Sequence, residues 1–404
     1  MRQPPIALTP VPTATQPFDI AIESEARLRA DPASGGWWVV GLARAAQEAL
    51  ANPHVRLVLR DAAGGEIARR TIELAIDPLP AERTWPYQEI FRPDSIPQTV
   101  EATLLGSSAG ESSSPSVESR VVRSFLNAQG ATMVLGRIHN PGREPVSIEA
   151  VRLLGRDPSG APTEVVNAEP ASSWLAPDGT MPFLGVLPVT DELDWEPFTM
   201  TLPAGPSPPT VEASEIEARQ DDQGNPYMTA SLINGESDPL WASVTAVASG
   251  GGVWLAAESI AVPLPLAPGE ASPLSLRLPA TSLGGVAATE VGWTLFVGSR
   301  PAESLSVPVA SEVIGYSPVG SSLFLRIRLT GPEPAAISNP AALASLRSED
   351  GRLVSAGWAA GPPILAPGES TEVTLALPLP PGFDLTLGQI DVRAGGVPVP
   401  QTAP

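Results

Sequence analysis

The chain has 404 residues and a net charge of −20, and all 24 of its basic residues are arginine. This acidic balance argues against nucleic acid or an anionic membrane surface as a partner, because both attract basic patches. Cysteine is absent, which excludes disulfides, thiol catalysis and cysteine-ligated metals, and no apolar run of about 18 residues predicts direct insertion into a membrane.

The first predicted element is an extended stalk, rich in proline and threonine, over residues 1–17. Its first residues contain no apolar stretch of the kind found in a signal peptide. A stalk of this composition is typical of the region after an export signal or anchor in bacterial surface proteins. We therefore expect an extracellular or cell-envelope location, with the signal or anchor absent from this chain, and a cytoplasmic protein is the alternative.

From residue 18 onward, short β-type segments alternate with proline and glycine turns. The first unit is predicted over residues 18–106 and contains an apolar strand at 37–43 and an alternating strand at 55–61. Between these two strands, Ala45–Ala51 is predicted to be a short helix, although it has too few residues to be stable alone. A serine-rich linker is predicted at 107–117.

The second unit is predicted at 118–203, with strands at 133–141 and 146–153, and a stiff proline-rich linker follows at 204–210. The third unit, 211–300, has strands at 228–235 and 272–278. The fourth, 301–400, has strands at 323–331 and 370–377. The joint between the last two units is short, so we expect them to be the most rigidly coupled.

A turn motif repeats once in each unit. Its prolines, at positions 80, 177, 268 and 367, recur at intervals of 97, 91 and 99 residues. This period matches one immunoglobulin-like sandwich of about 100 residues, so the predicted fold class is all-β with four tandem immunoglobulin-like β-sandwich domains. The copies are Leu79-Pro80-Ala81-Glu82, Leu175-Ala176-Pro177-Asp178-Gly179, Leu266-Ala267-Pro268-Gly269-Glu270 and Leu365-Ala366-Pro367-Gly368-Glu369.

The order of these elements resembles the FxLYD and CARDB-like modules. The second unit matches best, at Leu135–Gly142, at Leu175–Pro177 and at Pro182 with Phe183. The resemblance implies small immunoglobulin-like sandwiches of bacterial and archaeal surface proteins, which act as spacers, adhesion units or protein-interaction domains. It transfers no catalytic residue to this chain.

No catalytic constellation is predicted. The two histidines, His54 and His139, fall in different units, so they are not expected to share a triad or a metal site. The glycine run at Ser249–Gly252 has no lysine to bind a phosphate, and a β-turn explains it better. We therefore predict a non-enzymatic protein without a cofactor, calcium excepted.

Two acidic segments are candidate calcium sites, because clustered carboxylate oxygens suit Ca²⁺. The first contains Asp191 and Asp194, and the second contains Asp221 and Asp222. The first segment could also be an exposed acidic loop, and a glycosidase carboxylate pair is disfavoured because the units are too small to form a cleft. The second also fits an ordinary hairpin turn.

Tryptophan is frequent relative to the other aromatic residues, with nine against eight phenylalanines and three tyrosines. One buried tryptophan per sandwich explains most of them. Trp37 and Trp38 would point to opposite faces of a strand, so one of them is expected at the surface. Trp195 stands among acidic residues and could stack on a sugar. Trp37 and Trp195 are therefore the candidate contact aromatics.

The predicted function is that of an exported spacer or protein-interaction scaffold, with other surface proteins or further copies of itself as partners. A carbohydrate-binding surface protein, with a polysaccharide as ligand, is one alternative. A self-assembling S-layer or filament subunit is another.

Overall fold

A computed structural model describes residues 20–31, 34–109, 114–187 and 193–399 of the chain. These residues form antiparallel β-sheets, which confirms the all-β fold class. Short 3-10 segments lie at Ala280–Leu283, Ala288–Glu290 and Leu385–Leu387. Within the described ranges, no helix is long and apolar enough to cross a membrane.

The first sandwich consists of two layers, β1-β2-β5 and β4-β3-β6. Strand β1 belongs to both layers, because its first half pairs with β6 and its second half pairs with β2. The strands are β1 (Ile20–Ala30), β2 (Trp37–Arg44), β3 (Leu50–Arg60), β4 (Glu66–Glu73), β5 (Thr84–Phe91) and β6 (Thr99–Ser108).

The second sandwich repeats this order, with layers β7-β8-β12 and β10-β9-β13. Its strands are β7 (Glu118–Leu126), β8 (Thr132–His139), β9 (Val146–Arg156), β10 (Pro162–Pro170), β11 (Trp174–Leu175), β12 (Thr180–Val186) and β13 (Asp194–Pro203). The short strand β11, which contains the repeated turn's leucine, pairs with the start of β9.

The third and fourth sandwiches have the same pairing, as β14-β15-β18 with β17-β16-β19 and as β21-β22-β26 with β24-β23-β27. The third contains β14 (Val211–Gln220), β15 (Pro226–Asn234), β16 (Leu240–Gly250), β17 (Val253–Ala261), β18 (Ala271–Arg277) and β19 (Gly292–Pro301). The fourth contains β20 (Val307–Pro308), β21 (Ala310–Val319), β22 (Ser322–Thr330), β23 (Ile337–Arg347), β24 (Leu353–Ala360), β25 (Ile364–Leu365), β26 (Ser370–Pro378) and β27 (Gln389–Pro398).

Alternation of apolar and polar residues explains why these segments form half-buried strands. In β22, Leu325 and Ile327 are fully buried, whereas the intervening Arg326 and the following Arg328 are exposed. Successive side chains of a strand point to opposite faces, so one face of β22 supplies the core of the fourth sandwich.

The repeated turn has the same geometry in all four sandwiches. Its leucine is buried and lies opposite the first residue of β3, β9, β16 or β23. Three residues later the backbone has a positive φ, which glycine adopts without steric cost. Two copies place glycine there and two place an acidic residue. The residues with positive φ are Glu82, Asp178, Gly269 and Gly368.

A size-matched pair joins two hydrogen-bonded strands in each sandwich, which are β2 and β5, β8 and β12, β15 and β18, and β22 and β26. In the second sandwich, Gly136 lies opposite Phe183, and a Cβ atom on Gly136 would stand 1.8 Å from the Phe183 Cζ. The aromatic ring therefore occupies the space that a side chain on Gly136 would need. The pairs at the same register in the other sandwiches are Gly41 with Tyr87, Ala230 with Leu274, and Ile327 with Val373.

The helix predicted at Ala45–Ala51 is wrong. Residues 45–49 form a loop and β3 begins at Leu50, which forms a β-bridge with Leu79. Seven residues cannot offset the cost of helix nucleation, whereas the bridge buries both leucines.

The end of β6 also includes Ser107 and Ser108, the first two residues of the predicted serine-rich linker.

The chain divides into two compact units, residues 1–114 with 156–165 and residues 115–155 with 166–404. Within the second unit, the second and third sandwiches share an apolar cluster. Leu135 belongs to this cluster, whereas its neighbour Val134 belongs to the core of the second sandwich. Sheet β7-β8-β12 is therefore buried on both faces around β8. The third sandwich contributes Leu255, Leu278 and Leu283 to the shared cluster.

The third and fourth sandwiches are joined by apolar and polar contacts. Ala341 and Leu343 of β23 pack into the core cluster of the third sandwich. Arg347 donates two hydrogen bonds to the Glu215 carboxylate, at 3.0 and 3.2 Å. A paired guanidinium and carboxylate fix orientation as well as distance, so this junction restrains the two sandwiches in rotation.

Candidate functional site

The structure places the two predicted contact aromatics in half-buried positions. Trp37 lies in β2, and its neighbour Trp38 is also half-buried. Trp195 lies in β13, where its ring packs beside Gly155 and against the core of the second sandwich. Trp358, which sequence reasoning did not select, is 39% exposed in β24. The sequence Gly357-Trp358-Ala359-Ala360 contains no alternation of polar and apolar residues that could have identified it.

Asp221 is buried and bonded to protein donors. Its Oδ1 accepts hydrogen bonds from the backbone N–H groups of Gln223 and Asn225, each at 2.9 Å. Its Oδ2 accepts one from the Asn225 amide at 3.1 Å and is paired with Arg277. The segment forms a hairpin turn between β14 and β15, which was the alternative to a calcium site. Arg277 occupies the position that a cation would take.

The other calcium candidates are not brought together. Asp222 is exposed beside Asp221, Asp194 is exposed at the start of β13, and Asp191 lies outside the described residues. Among the residues whose placement is described, no three acidic or histidine side chains form a group suited to a metal ion. Calcium binding stays a prediction.

The two histidines make local contacts with neighbouring loops. The His54 ring lies 2.8 Å from the carbonyl oxygen of Asn52, two residues earlier. The His139 ring lies 3.1 Å from the Gly179 carbonyl oxygen and 3.2 Å from the Thr180 hydroxyl. These contacts tie His139 to the repeated turn of its own sandwich.

Two adjoining cavities lie between the second and third sandwiches, and together they form the feature that we call the junction cleft. Their volumes are about 240 and 350 Å³, and both are lined by Ala171, Ser172 and Ser299. Small-molecule sites in proteins have volumes of about 300–1,000 Å³, so the cleft is large enough for a small ligand. All of its lining residues lie in the second compact unit.

The floor of the smaller cavity is a face of sheet β17-β16-β19. Trp241 lies opposite Arg300, and two residues further along, Ser243 lies opposite Gly298. Residues two apart on a strand share a face, so an indole, a guanidinium and a hydroxyl line one surface. Residues 170–173 of the second sandwich form the wall above them.

Close approach of the wall to the floor depends on Gly298. A Cβ atom at this position would lie 2.7 Å from the Ala171 carbonyl oxygen and 2.8 Å from the Ser243 hydroxyl. Backbone cannot move away as a flexible side chain can, so any larger residue would separate the two sandwiches here.

The larger cavity contains a second indole, that of Trp174, beside Pro208 and Pro209. The Trp174 Nε1 is buried and has no hydrogen-bond partner among the described residues. The proline-rich segment is held in place at this point, because the Ser299 hydroxyl donates to the Pro209 carbonyl oxygen at 2.5 Å. The predicted linker at 204–210 therefore forms part of the cleft wall.

No protein-family model and no curated protein matches the chain. Among solved structures, red sea bream transglutaminase is similar over 44% of this chain and 28% of its own, with 14% identity and a TM-score of 0.17. Escherichia coli alpha-2-macroglobulin activated by porcine elastase is similar over 93% and 44%, with 14% identity and a TM-score of 0.13. Salmonella alpha-2-macroglobulin reacted with methylamine is similar over 88% and 27%, with 11% identity and a TM-score of 0.12.

The chain spans less than half the length of each of these three proteins. Their TM-scores are too low to support an argument about fold or function, so the all-β assignment rests on the strand pairing described above. The resemblance to FxLYD and CARDB-like modules stays a prediction.

The Glu258 side chain is half-buried in the third sandwich, away from the cleft. Glu258 in β17 lies opposite Ala246 in β16, which in turn lies opposite Leu295 in β19. Ala246 is fully buried in the core cluster, and Leu295 packs against it. Burial among these apolar groups raises the pKa of Glu258 to about 7, because desolvation disfavours the charged form of a carboxyl group.

Glu258→Gln is expected to stabilise the third sandwich at pH 8 by about 1–2 kcal/mol, with little change at pH 5. The pKa of Glu258 is higher in the folded chain than in the unfolded chain, so binding of a proton by this group stabilises the fold. This contribution is fully present below the pKa of the unfolded chain, which is about 4.3. That contribution is lost as the pH rises through about 7. Denaturant unfolding at pH 5 and pH 8 measures the difference, and Glu303→Gln, at an exposed position, is the control. Equal effects of Glu258→Gln at both pH values would contradict the expectation.

Proposed function

We propose that this chain is a non-enzymatic, exported scaffold that holds interaction surfaces at fixed positions relative to one another. The observation that carries the proposal is the coupling of repeated units. One sandwich topology occurs four times, and the second, third and fourth copies share buried side-chain clusters. Fixed geometry between modules is what a spacer or scaffold requires, whereas freely jointed modules would follow a partner's position.

The two junctions differ in their chemistry. The junction of the second and third sandwiches is apolar, with Leu283 fully buried in the shared cluster. The junction of the third and fourth adds polar contacts to its apolar ones. In one of these the Ser275 hydroxyl accepts a hydrogen bond from the Ala356 backbone N–H at 2.8 Å. Apolar contacts do not depend on the salt concentration. Ion pairs fix the orientation of the two groups that they join. Together these contacts support a permanent arrangement of the three sandwiches.

Exposed apolar side chains on the fourth sandwich support a role in binding protein partners. Strand β21 pairs with β22, and most of its residues are exposed. Tyr316 is 66% exposed, and Val313 and Val319 are exposed as well. Exposed apolar side chains along one strand are typical of contact sites with other proteins or with a second copy of the chain.

Limited proteolysis with thermolysin tests the rigid coupling. We expect the second to fourth sandwiches to survive as one fragment, and the Leu283→Ala variant to be cut faster between residues 203 and 210. Removal of the buried leucine side chain leaves a cavity in the shared cluster, which loosens the segment that crosses this junction. Leu387→Ala is the matched control, because this leucine also lies in a 3-10 segment but is 54% exposed. Rapid cleavage of the wild-type chain at 203–210 would contradict the rigid scaffold.

Antibody labelling of intact producing cells tests the proposed location. We expect a signal before lysis and its loss after protease treatment of whole cells. Amine-reactive surface reagents are unsuitable, because the chain contains no lysine. A signal that appears only after lysis would contradict export while leaving the coupling of the sandwiches intact.

A further inference from the structure

We propose that the junction cleft binds a neutral saccharide, with the Trp241 indole as its stacking platform. This inference goes beyond the scaffold role and stands on separate observations. They are the composition of the cleft lining, the placement of two indoles in adjoining cavities, and hydrogen-bonding groups that face the cleft without protein partners.

Saccharides have two kinds of surface, and the smaller cavity offers a match for both. The C–H faces of a pyranose ring are apolar and pack on a flat aromatic ring, as Trp241 provides on the sheet face. The ring edges carry hydroxyl groups that donate and accept hydrogen bonds. Arg300 can donate to them, and the Ser173 and Ser243 hydroxyls can do both. None of these three side chains makes a hydrogen bond or ion pair with another described residue.

The larger cavity extends the apolar lining with the Trp174 indole and with Pro208 and Pro209. A second sugar ring can pack against these groups as the first packs on Trp241. Because the two cavities share Ala171, Ser172 and Ser299, adjacent units of one oligosaccharide could occupy both.

The charge of the lining favours a neutral ligand. Among the residues that line the two cavities, Arg300 is the charged one. The chain as a whole has a net charge of −20, which repels a polyanion at low ionic strength. A metal ion or a phosphate would need several charged groups, which the lining does not contain.

The position of the cleft disfavours an extended peptide. Peptides that bind β-proteins commonly add a strand to a free sheet edge, where backbone hydrogen bonds supply affinity. The floor of the smaller cavity is instead the face of sheet β17-β16-β19, centred on Trp241 and Ser243 of the middle strand β16. Side chains, not backbone groups, are therefore offered to the ligand.

Isothermal titration with neutral hexasaccharides tests the proposal, with maltohexaose, cellohexaose, xylohexaose and chitohexaose as probes and tryptophan fluorescence as a second readout. We expect at least one of them to bind the full-length chain. Trp241→Ala should weaken that binding at least tenfold and Arg300→Ala several-fold. Trp358→Ala is the matched control, because it removes an exposed indole outside the cleft, and it should leave affinity unchanged.

Far-UV circular dichroism and the melting temperature establish that each variant is folded, and Trp241→Phe provides a conservative replacement that should retain most of the affinity. Three results would overturn the proposal. They are no binding by any of the four probes, equal affinity of wild type and Trp241→Ala, and binding of polygalacturonate or a proline-rich peptide alone. Each of these is independent of the proteolysis that tests the scaffold.

Discussion

Replacing Gly136 by alanine is expected to destabilise the second sandwich by about 3 kcal/mol. The new Cβ atom would lie 1.8 Å from the Phe183 Cζ and 2.3 Å from two neighbouring ring carbons. Phe183 is fully buried, and a ring in a close-packed core has little room to move. The strands β8 and β12 would have to separate, and the cost of that strain appears directly in the free energy of unfolding.

A second substitution should rescue the first. In the third sandwich the same register holds Ala230 opposite Leu274, so the fold already accommodates alanine when its partner is smaller than phenylalanine. We expect Phe183→Leu alone to be destabilising, because it leaves a cavity beside Gly136. The double variant should be more stable than Gly136→Ala alone, with an interaction free energy of about 1–2 kcal/mol in favour of the pair.

Hydrogen exchange resolved by peptide measures both effects, since residues 132–139 and 180–186 report on β8 and β12 in a chain of several modules. Gly205→Ala is the matched control, because a Cβ atom there meets no other atom within 4 Å and the glycine has no positive φ. Additive effects of the two substitutions would show that the ring and the glycine do not compete for one space.

Asp221→Ala is expected to destabilise the third sandwich by about 3 kcal/mol. The Asp221 side chain is fully buried, and its carboxylate accepts three hydrogen bonds in addition to the ion pair with Arg277. Removing one partner of a buried ion pair leaves the other charge poorly compensated, at a cost of about 3–5 kcal/mol. We place the effect at the lower end because Arg277 is partly exposed and also donates to the Ser321 hydroxyl.

The equivalent turn in the first sandwich separates the contribution of the backbone hydrogen bonds from that of the buried ion pair. Asp61 accepts the same two backbone hydrogen bonds, from Ala63 and Gly65, but it lies at a more exposed position. Asp61→Ala should therefore lower the free energy of unfolding by only about 1 kcal/mol.

Denaturant unfolding of both variants, with and without calcium, measures these effects and also tests the calcium prediction. Calcium that stabilises the wild-type chain but not Asp221→Ala would show that a cation competes with Arg277.

The fold class was predictable because the turns repeat. Each copy of the turn motif places a leucine in the core and, three residues later, a residue with positive φ. Burial and backbone geometry thus constrain the same few positions in every sandwich, and such local constraints are visible in one sequence. The helix prediction at Ala45–Ala51 failed because the conformation of this segment depends on a contact that is distant in sequence. Leu50 pairs with Leu79, and a local pattern cannot predict that pairing.

The junction cleft was not predictable by the same means. Trp174 and Trp241 are far apart in the chain and have no shared pattern, and the wall and floor meet only because Gly298 admits the Ala171 backbone. Contacts between modules depend on which sheet faces are covered, and strand periodicity does not specify this. Leu135 illustrates the difficulty, because alternation around Val134 assigns it to the solvent side of β8, yet it is fully buried.

The third sandwich is covered on two sides, and this constrains how the chain can change by duplication or loss of modules. Sheet β17-β16-β19 packs against the second sandwich through Val247, and sheet β14-β15-β18 contacts the fourth through Tyr227. Deleting or inserting a module beside the third would expose apolar side chains that no longer have a neighbour. The last three sandwiches are therefore expected to be inherited as a block.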